Sequence, residues 1–132
     1  MLFRSTFVEV GIEDTGRNTE KDFQYAFEAI TLVHNLLSYH DQNSDLSRLN
    51  NSRGSEVVLH PVSVKVLKLA RAMTCLSSSL FNFAVGGKME QLGILPRQGS
   101  DIVRGVGSHT DIEIRKQKVR RSEEHTSELQ SH

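Results

Sequence analysis

The apolar positions of this chain change period several times, and each change marks an element. Between Thr6 and Ile12 they alternate, with Val8, Val10 and Ile12 on one side and Phe7 and Glu9 on the other, which predicts a half-buried strand. Asp14, Gly16 and Asn18 then signal a turn. From Phe23 the spacing becomes helical: Phe23, Phe27, Ile30, Val33 or His34, and Leu37 share one face of a helix that reaches Tyr39. Thr19, followed three residues later by Asp22, reads as a capping box at its start. Its Phe stripe reads as core. The period stops at Leu37, and Asp41, Gln42, Asn43 and Ser44 have side chains that bond to nearby backbone and favour loops and caps. This stretch, Leu37 to Asn50, also holds the ring pair Tyr39-His40 and a compact Asp45-Leu46-Ser47-Arg48-Leu49-Asn50. A plain connector needs neither, so the stretch reads as a site loop.

Beyond it, 51–54 is a turn and Glu56 to Leu59 a short strand. Pro61 and Ser63 open a second helix with Val62, Val66, Leu69, Ala70 and Met73 along one side, ending at Ser77-Ser78-Ser79. Leu80 to Val85 is a short apolar segment broken by Gly86-Gly87. Met89 to Leu95 predicts a further short helix closed by Pro96. Residues 97–110, with Gly99, Gly105 and Gly107, read as an exposed loop. Asp111 to Ile114 alternates again, with Val119-Arg120 as its hairpin partner across Lys116-Gln117, a turn pair that hairpins seldom choose.

At 132 residues the chain suits one domain, and 37% hydrophobic with 24% charged residues fits a globular one. Sixteen basic and sixteen acidic residues cancel, so no overall field recruits nucleic acid or an anionic membrane. One cysteine, Cys75, excludes an internal disulfide; its apolar surroundings predict a buried thiol. No apolar run is long enough to span a membrane, and the first residues show no signal peptide, which leaves the compartment open. The last segment, Arg121 to His132, has Leu129 as its one apolar residue and no period that buries anything, which predicts disorder. Its first eleven residues also match the conceptual translation of a common sequencing-library adapter, so residues 121–132 read as a non-native tail and the natural coding sequence as cut near residue 120. Without that tail's one basic and three acidic residues the balance is fifteen to thirteen.

"SYHDQNSDLSRLN", followed by "SSSLFNFAVGGKMEQLGILP" and preceded by "RSTFVEVGIED", resembles the amino-terminal part of the ApbE-like family, the FAD:protein FMN transferases. The resemblance covers about residues 3 to 120 in the family's order, and the first loop carries it most specifically. It implies an α+β fold, a mixed sheet with packed helices related to the T-fold, here incomplete, with residues 1–120 as the amino-terminal part of the domain. It further implies transfer of the FMN half of FAD to a Ser or Thr of an acceptor flavoprotein, with Mg²⁺ required.

By position, His40 corresponds to the family's flavin-stacking ring, and Leu80, Phe81 and Asn82 to an Ala-Phe-Asp that contacts the nucleotide. Arg4, Ser5 and Thr6 correspond to a Met-Gly-Thr. Asn82 keeps an acceptor but not the family's charge, and Ser5 adds a side chain where the family has glycine. Asp45, Ser47, Arg48 and Asn50 read as scaffolding, Arg48 as a fork to a carboxylate. The family's glycine-rich nucleotide loop and its Mg²⁺-holding Asp and Thr are expected beyond residue 120. No His spacing in the chain suggests a metal site.

Two rival readings remain. The chain is a catalytically inactive fragment, or it is a binding module without catalysis. For the latter, the basic run Arg115 to Arg121 is the candidate surface; without interleaved aromatics it reads better as a solvated strand edge.

Overall fold

The computed structural model describes residues 2–3, 6–13, 16, 18–97, 107–108 and 111–122. In chain order the elements are β1 (Leu2–Phe3), β2 (Thr6–Phe7), α1 (Thr19–Leu37), α2 (Asp45–Asn50), β3 (Glu56–Val58), α3 (Pro61–Leu76), α4 (Gly86–Gln91), β4 (Ile112–Arg115) and β5 (Lys118–Arg121). Helices packed on a small antiparallel sheet make this an α+β fold.

The core forms around Val119, which is fully enclosed. It lies on β5, the central strand of a sheet ordered β3-β5-β4. Val57 faces it from β3 and Ile114 from β4. Leu49 of α2, Leu59, and Val64 and Leu67 of α3 close the cluster, with Val57, Phe83, Ile112 and Ile114 packed against it. Alternation in β4 and β5 turns the other side chains to solvent. There Lys118 pairs with Glu56 and Arg120 with Glu113 across the strands. Arg120 donates a hydrogen bond to the Glu113 carboxylate and, with its charge, holds that carboxyl below the ordinary value. A depressed carboxyl stabilises the fold above its unfolded pKa, and the contribution disappears as pH falls through the folded one. For so exposed a pair the effect is small.

The basic run is thus no edge. It covers the β4–β5 hairpin, and β5 is bounded on both sides. The turn places Lys116 at φ 56°, which explains why a sequence poor in glycine gave a weak hairpin signal. The alternating Thr6–Ile12 stretch pairs only through Thr6 and Phe7, in a two-residue ladder with Phe3 and Leu2; Val8 to Glu13 have no regular structure. Alternation alone, without a long partner strand, does not make a ladder.

Of the three helices with clear sequence signals, α1 differs most from expectation. It starts after Asn18 with no side-chain cap, so Thr19 and Asp22 form no capping box, and it ends at Leu37. None of its residues is fully buried, and Phe23 is 37% exposed. The Phe stripe is a partly covered seam, not core. On α3 the buried residues are Ser63, Val64, Leu67 and Thr74, while Leu69 and Met73 of the predicted stripe stand 61% and 47% exposed. The helix carries two apolar faces, and periodicity alone does not say which one the sheet covers. Cys75 is likewise exposed, because it falls on neither. α3 stops where Ser78 and Ser79 turn left-handed, at φ 50° and 66°, and the Ser79 N–H donates to the Thr74 carbonyl at 2.9 Å.

Val119→Ala should cost about 2 kcal/mol of folding free energy, read as a lowered urea midpoint, because the enclosed site cannot refill. Ser79→Gly should act in the opposite direction, stabilising by about 0.5 kcal/mol, since glycine takes a positive φ without strain.

Candidate functional site

The expected loop after α1 is half helix. Ser44 caps α2, its Oγ accepting the Ser47 N–H at 3.1 Å and donating to the Ser38 carbonyl at 2.6 Å. Residues 43–45 therefore act as a helix start, a use open to the same loop-forming side chains. The carboxylate of Asp45, 6% exposed, then gathers three donors. Arg48 Nη1 reaches Oδ1 at 3.0 Å, and the His60 N–H and the Ser63 hydroxyl reach Oδ2 at 2.7 Å each. Arg48 Nη2 also donates to the Val58 carbonyl at 3.1 Å. Arg48 reaches a carboxylate as expected, but with one arm of its fork and not two, the other going to β3; Asp45 itself ties α2 to the start of α3. His60 completes that start by accepting the Val62 N–H on Nδ1 at 3.1 Å, with Pro61 in the first helical turn.

This clamp holds one wall of a cavity of about 290 Å³. Leu46, Leu49 and Asn50 of α2 form that wall, and Leu67, Phe83 and Ile112 form the apolar floor. α4 and the turn after it stand opposite, through Gly86, Gly87, Met89, Glu90 and Leu95. The polar groups at the cavity are Tyr39, Glu90, Ser108, Asp111 and Arg121 beside Asn50. Asp111 Oδ2 accepts the Ser108 N–H at 2.6 Å, and Arg121 Nη1 lies 3.5 Å from Asn50 Oδ1. An apolar hollow with a few directed polar groups is the form of a small-molecule site.

Of the sequence-predicted residues, His40, Leu80, Phe81 and Asn82 fall beside this cavity and not on its lining. His40 is exposed, its ring edge-on to Tyr39 with centroids 5.9 Å apart, and it is Tyr39 that lines the hollow. Leu80 is 93% exposed and Phe81 41%, while Phe83 and Ala84, two and three positions beyond Phe81, line it. Asn82 shapes the turn between them. Its Oδ1 accepts the Ala84 N–H at 2.9 Å and its Nδ2 approaches the Gly107 carbonyl at 3.4 Å. Thr6 lies on β2; Arg4 and Ser5 lie outside the described residues, as does most of the predicted 97–110 loop. In both segments a ring sits one or two positions from the residue that the family pattern picks out.

Sequence reasoning gave no site role to Glu90, Ser108 or Asp111, and it read Arg121 both as the end of the basic run and as the first residue of a disordered, non-native tail; the structure instead puts Arg121 at the end of β5, paired with Ile112. Only the tertiary fold brings the four together. Gly86-Gly87, expected to break the chain, instead begins α4, and Gly87 is buried.

The model of the ApbE family matches residues 5–130, and the chain belongs to that family. Among solved structures it is similar to the apo form of the Pseudomonas stutzeri flavinyl transferase ApbE, with a TM-score of 0.69 and 13% identity, covering 83% of this chain and 40% of that one. It is similar also to the ApbE protein of Thermotoga maritima, with a TM-score of 0.67 and 14% identity over 84% and 40%. At such identities the likeness is one of fold, and the chain spans about two fifths of the length of these relatives. No curated protein matches it in sequence.

Asp45→Ala should remove about 3 kcal/mol of stability, because it strands the Ser63 hydroxyl and the His60 N–H below the surface. Arg48→Met, at a side chain 46% exposed, should cost under about 1 kcal/mol in the same denaturation assay.

Proposed function

We propose that this chain is the amino-terminal, flavin-holding part of an FAD:protein FMN transferase. The observation that carries the reading is membership of the ApbE family over residues 5–130. In the proposed reaction a Ser or Thr hydroxyl of an acceptor flavoprotein attacks the FMN phosphorus of FAD. A phosphoester bond forms, the pyrophosphate bond breaks, AMP leaves, and the hydroxyl proton passes to a base or to water.

The cavity suits the ring end of such a substrate. Its floor is apolar, Tyr39 and Phe83 offer ring surface, and Asn50 and Ser108 offer polar partners for a flavin edge. Glu90 and Asp111 add negative charge, against a single cation, Arg121, among the described lining residues, a balance that disfavours the pyrophosphate there and directs it outward. Tyr39 on this reading takes the stacking role that position alone assigns to His40, and His40, edge-on behind it, restricts its ring.

Mg²⁺, when bound, neutralises charge developing on the pyrophosphate. Among the described residues no three His, Cys, Asp or Glu side chains group to hold a metal, so no step through Mg²⁺ is derived from this part of the fold. An inactive flavin-binding module is the second reading, favoured by the two-fifths span of the solved relatives.

The 132-residue chain titrated with FAD should quench flavin fluorescence. Tyr39→Ala should weaken binding roughly five-fold through lost ring contact, and Tyr39→Phe should not. Unquenched fluorescence up to millimolar chain would refute the flavin site. The same chain with FAD and Mg²⁺ should release no AMP, and release would refute the assignment of catalysis to a longer protein.

A further inference from the structure

Two helices turn apolar strips to solvent. On α3, Leu69, Met73 and Leu76 recur at spacings of four and three and stand 61%, 47% and 86% exposed. The helix buries its other side, through Ser63, Val64, Leu67 and Thr74. On α1, Tyr25, Ala29 and Leu32 repeat the spacing, and Tyr25 is 65% and Leu32 41% exposed. Phe27 and Ile30, on the other side of that helix, are half-buried. A spacing of four and three is the seam along which helices pack side by side. None of the strip residues lines the cavity, so the surface stands apart from the flavin reading.

The charges carried with the two strips are of opposite sign. α3 has Lys65, Lys68 and Arg71 and no acidic residue, whereas α1 has Glu20, Asp22 and Glu28 against one lysine, Lys21. Asp22, Glu28, Lys65 and Lys68 are all exposed. Among the described residues the ion pairs join Arg48 to Asp45, Lys118 to Glu56 and Arg120 to Glu113, and use none of these four. One chain thus holds both halves of a complementary pair, on two helices that touch each other. A foreign helix of either charge would answer one strip; a second copy answers both at once. We propose that this surface pairs with a second copy of the chain in a two-fold dimer, the acidic α1 of each copy lying on the basic α3 of the other.

Sedimentation velocity of the 132-residue chain tests the pairing, with a dimer expected at tens of micromolar and low salt. Raising salt to roughly 0.5 M should weaken it, because the exposed charges are then screened. Leu76→Ser, at a side chain 86% exposed and so of little weight in the monomer, should weaken it about five-fold through lost apolar contact. The double variant Asp22→Lys with Glu28→Lys, and separately Lys65→Glu with Lys68→Glu, should each raise the dimer Kd about ten-fold by setting like charges together. Mixing the two double variants should restore a dimer of near-original strength, since each then meets its opposite on both helices. Circular dichroism checks the helices of each variant, and where one is lost the salt series and Leu76→Ser decide. A chain that stays monomeric overturns the proposal and leaves the strips to another part of a longer protein or to an anionic surface. A dimer indifferent to salt and to Leu76→Ser, or folded double variants that fail to recover on mixing, overturns it as well.

Discussion

The fold depends on a buried carboxylate having enough donors. Asp45 is drawn below the surface at the start of α2, where an ion without partners would be expensive. Three donors from three places answer it: a guanidinium one turn away, a backbone N–H at the entrance to α3, and the Ser63 hydroxyl inside that helix. Because these partners span Arg48 to Ser63, satisfying the charge also sets the path of the chain through β3. The residue acts less as an ion pair than as a junction, and the apolar cluster of Leu49, Leu59, Val64 and Leu67 assembles where the junction puts it.

From that junction follow the two unequal walls of the cavity. The α2 wall is fixed by the clamp and by the core beneath it. The α4 wall begins with Gly86 and Gly87, the second of them buried. Tyr39 joins the two walls, its carbonyl bonded by Ser47 of α2 and its hydroxyl donating to Glu90 of α4.

Local signals were legible where a motif closes on itself. Pro61 at the head of α3, the serine run at its end, a carboxylate partner for Arg48 and the place of β3, one residue shorter than expected, were readable because each depends on residues within a few positions. The family resemblance lay in the same kind of short-range pattern. The choice between two apolar faces of α3 was not readable, since Leu67 and Leu69 are equally hydrophobic and only the sheet distinguishes them. The lining of the cavity was missed for a related reason. A pattern centred on His40 and Phe81 points to the right bends, yet a bend sends adjacent side chains to opposite sides, so Tyr39 and Phe83 face inward.

The position of β5 in the sheet has a consequence for how the chain is made. Among the described residues it is the last strand in sequence and the middle one in space, and β3 and β4 have no ladder with each other. On a ribosome adding roughly 5–20 residues per second, β3 emerges and waits several seconds without a hydrogen-bonding partner. Val57 and the helices beside it have no Val119 to enclose in that interval. Until β5 arrives, the helical half has the Asp45 junction and the packing of α1 on α2 and α3 to hold it, and the sheet is complete only when Lys118 to Arg121 pairs between β3 and β4.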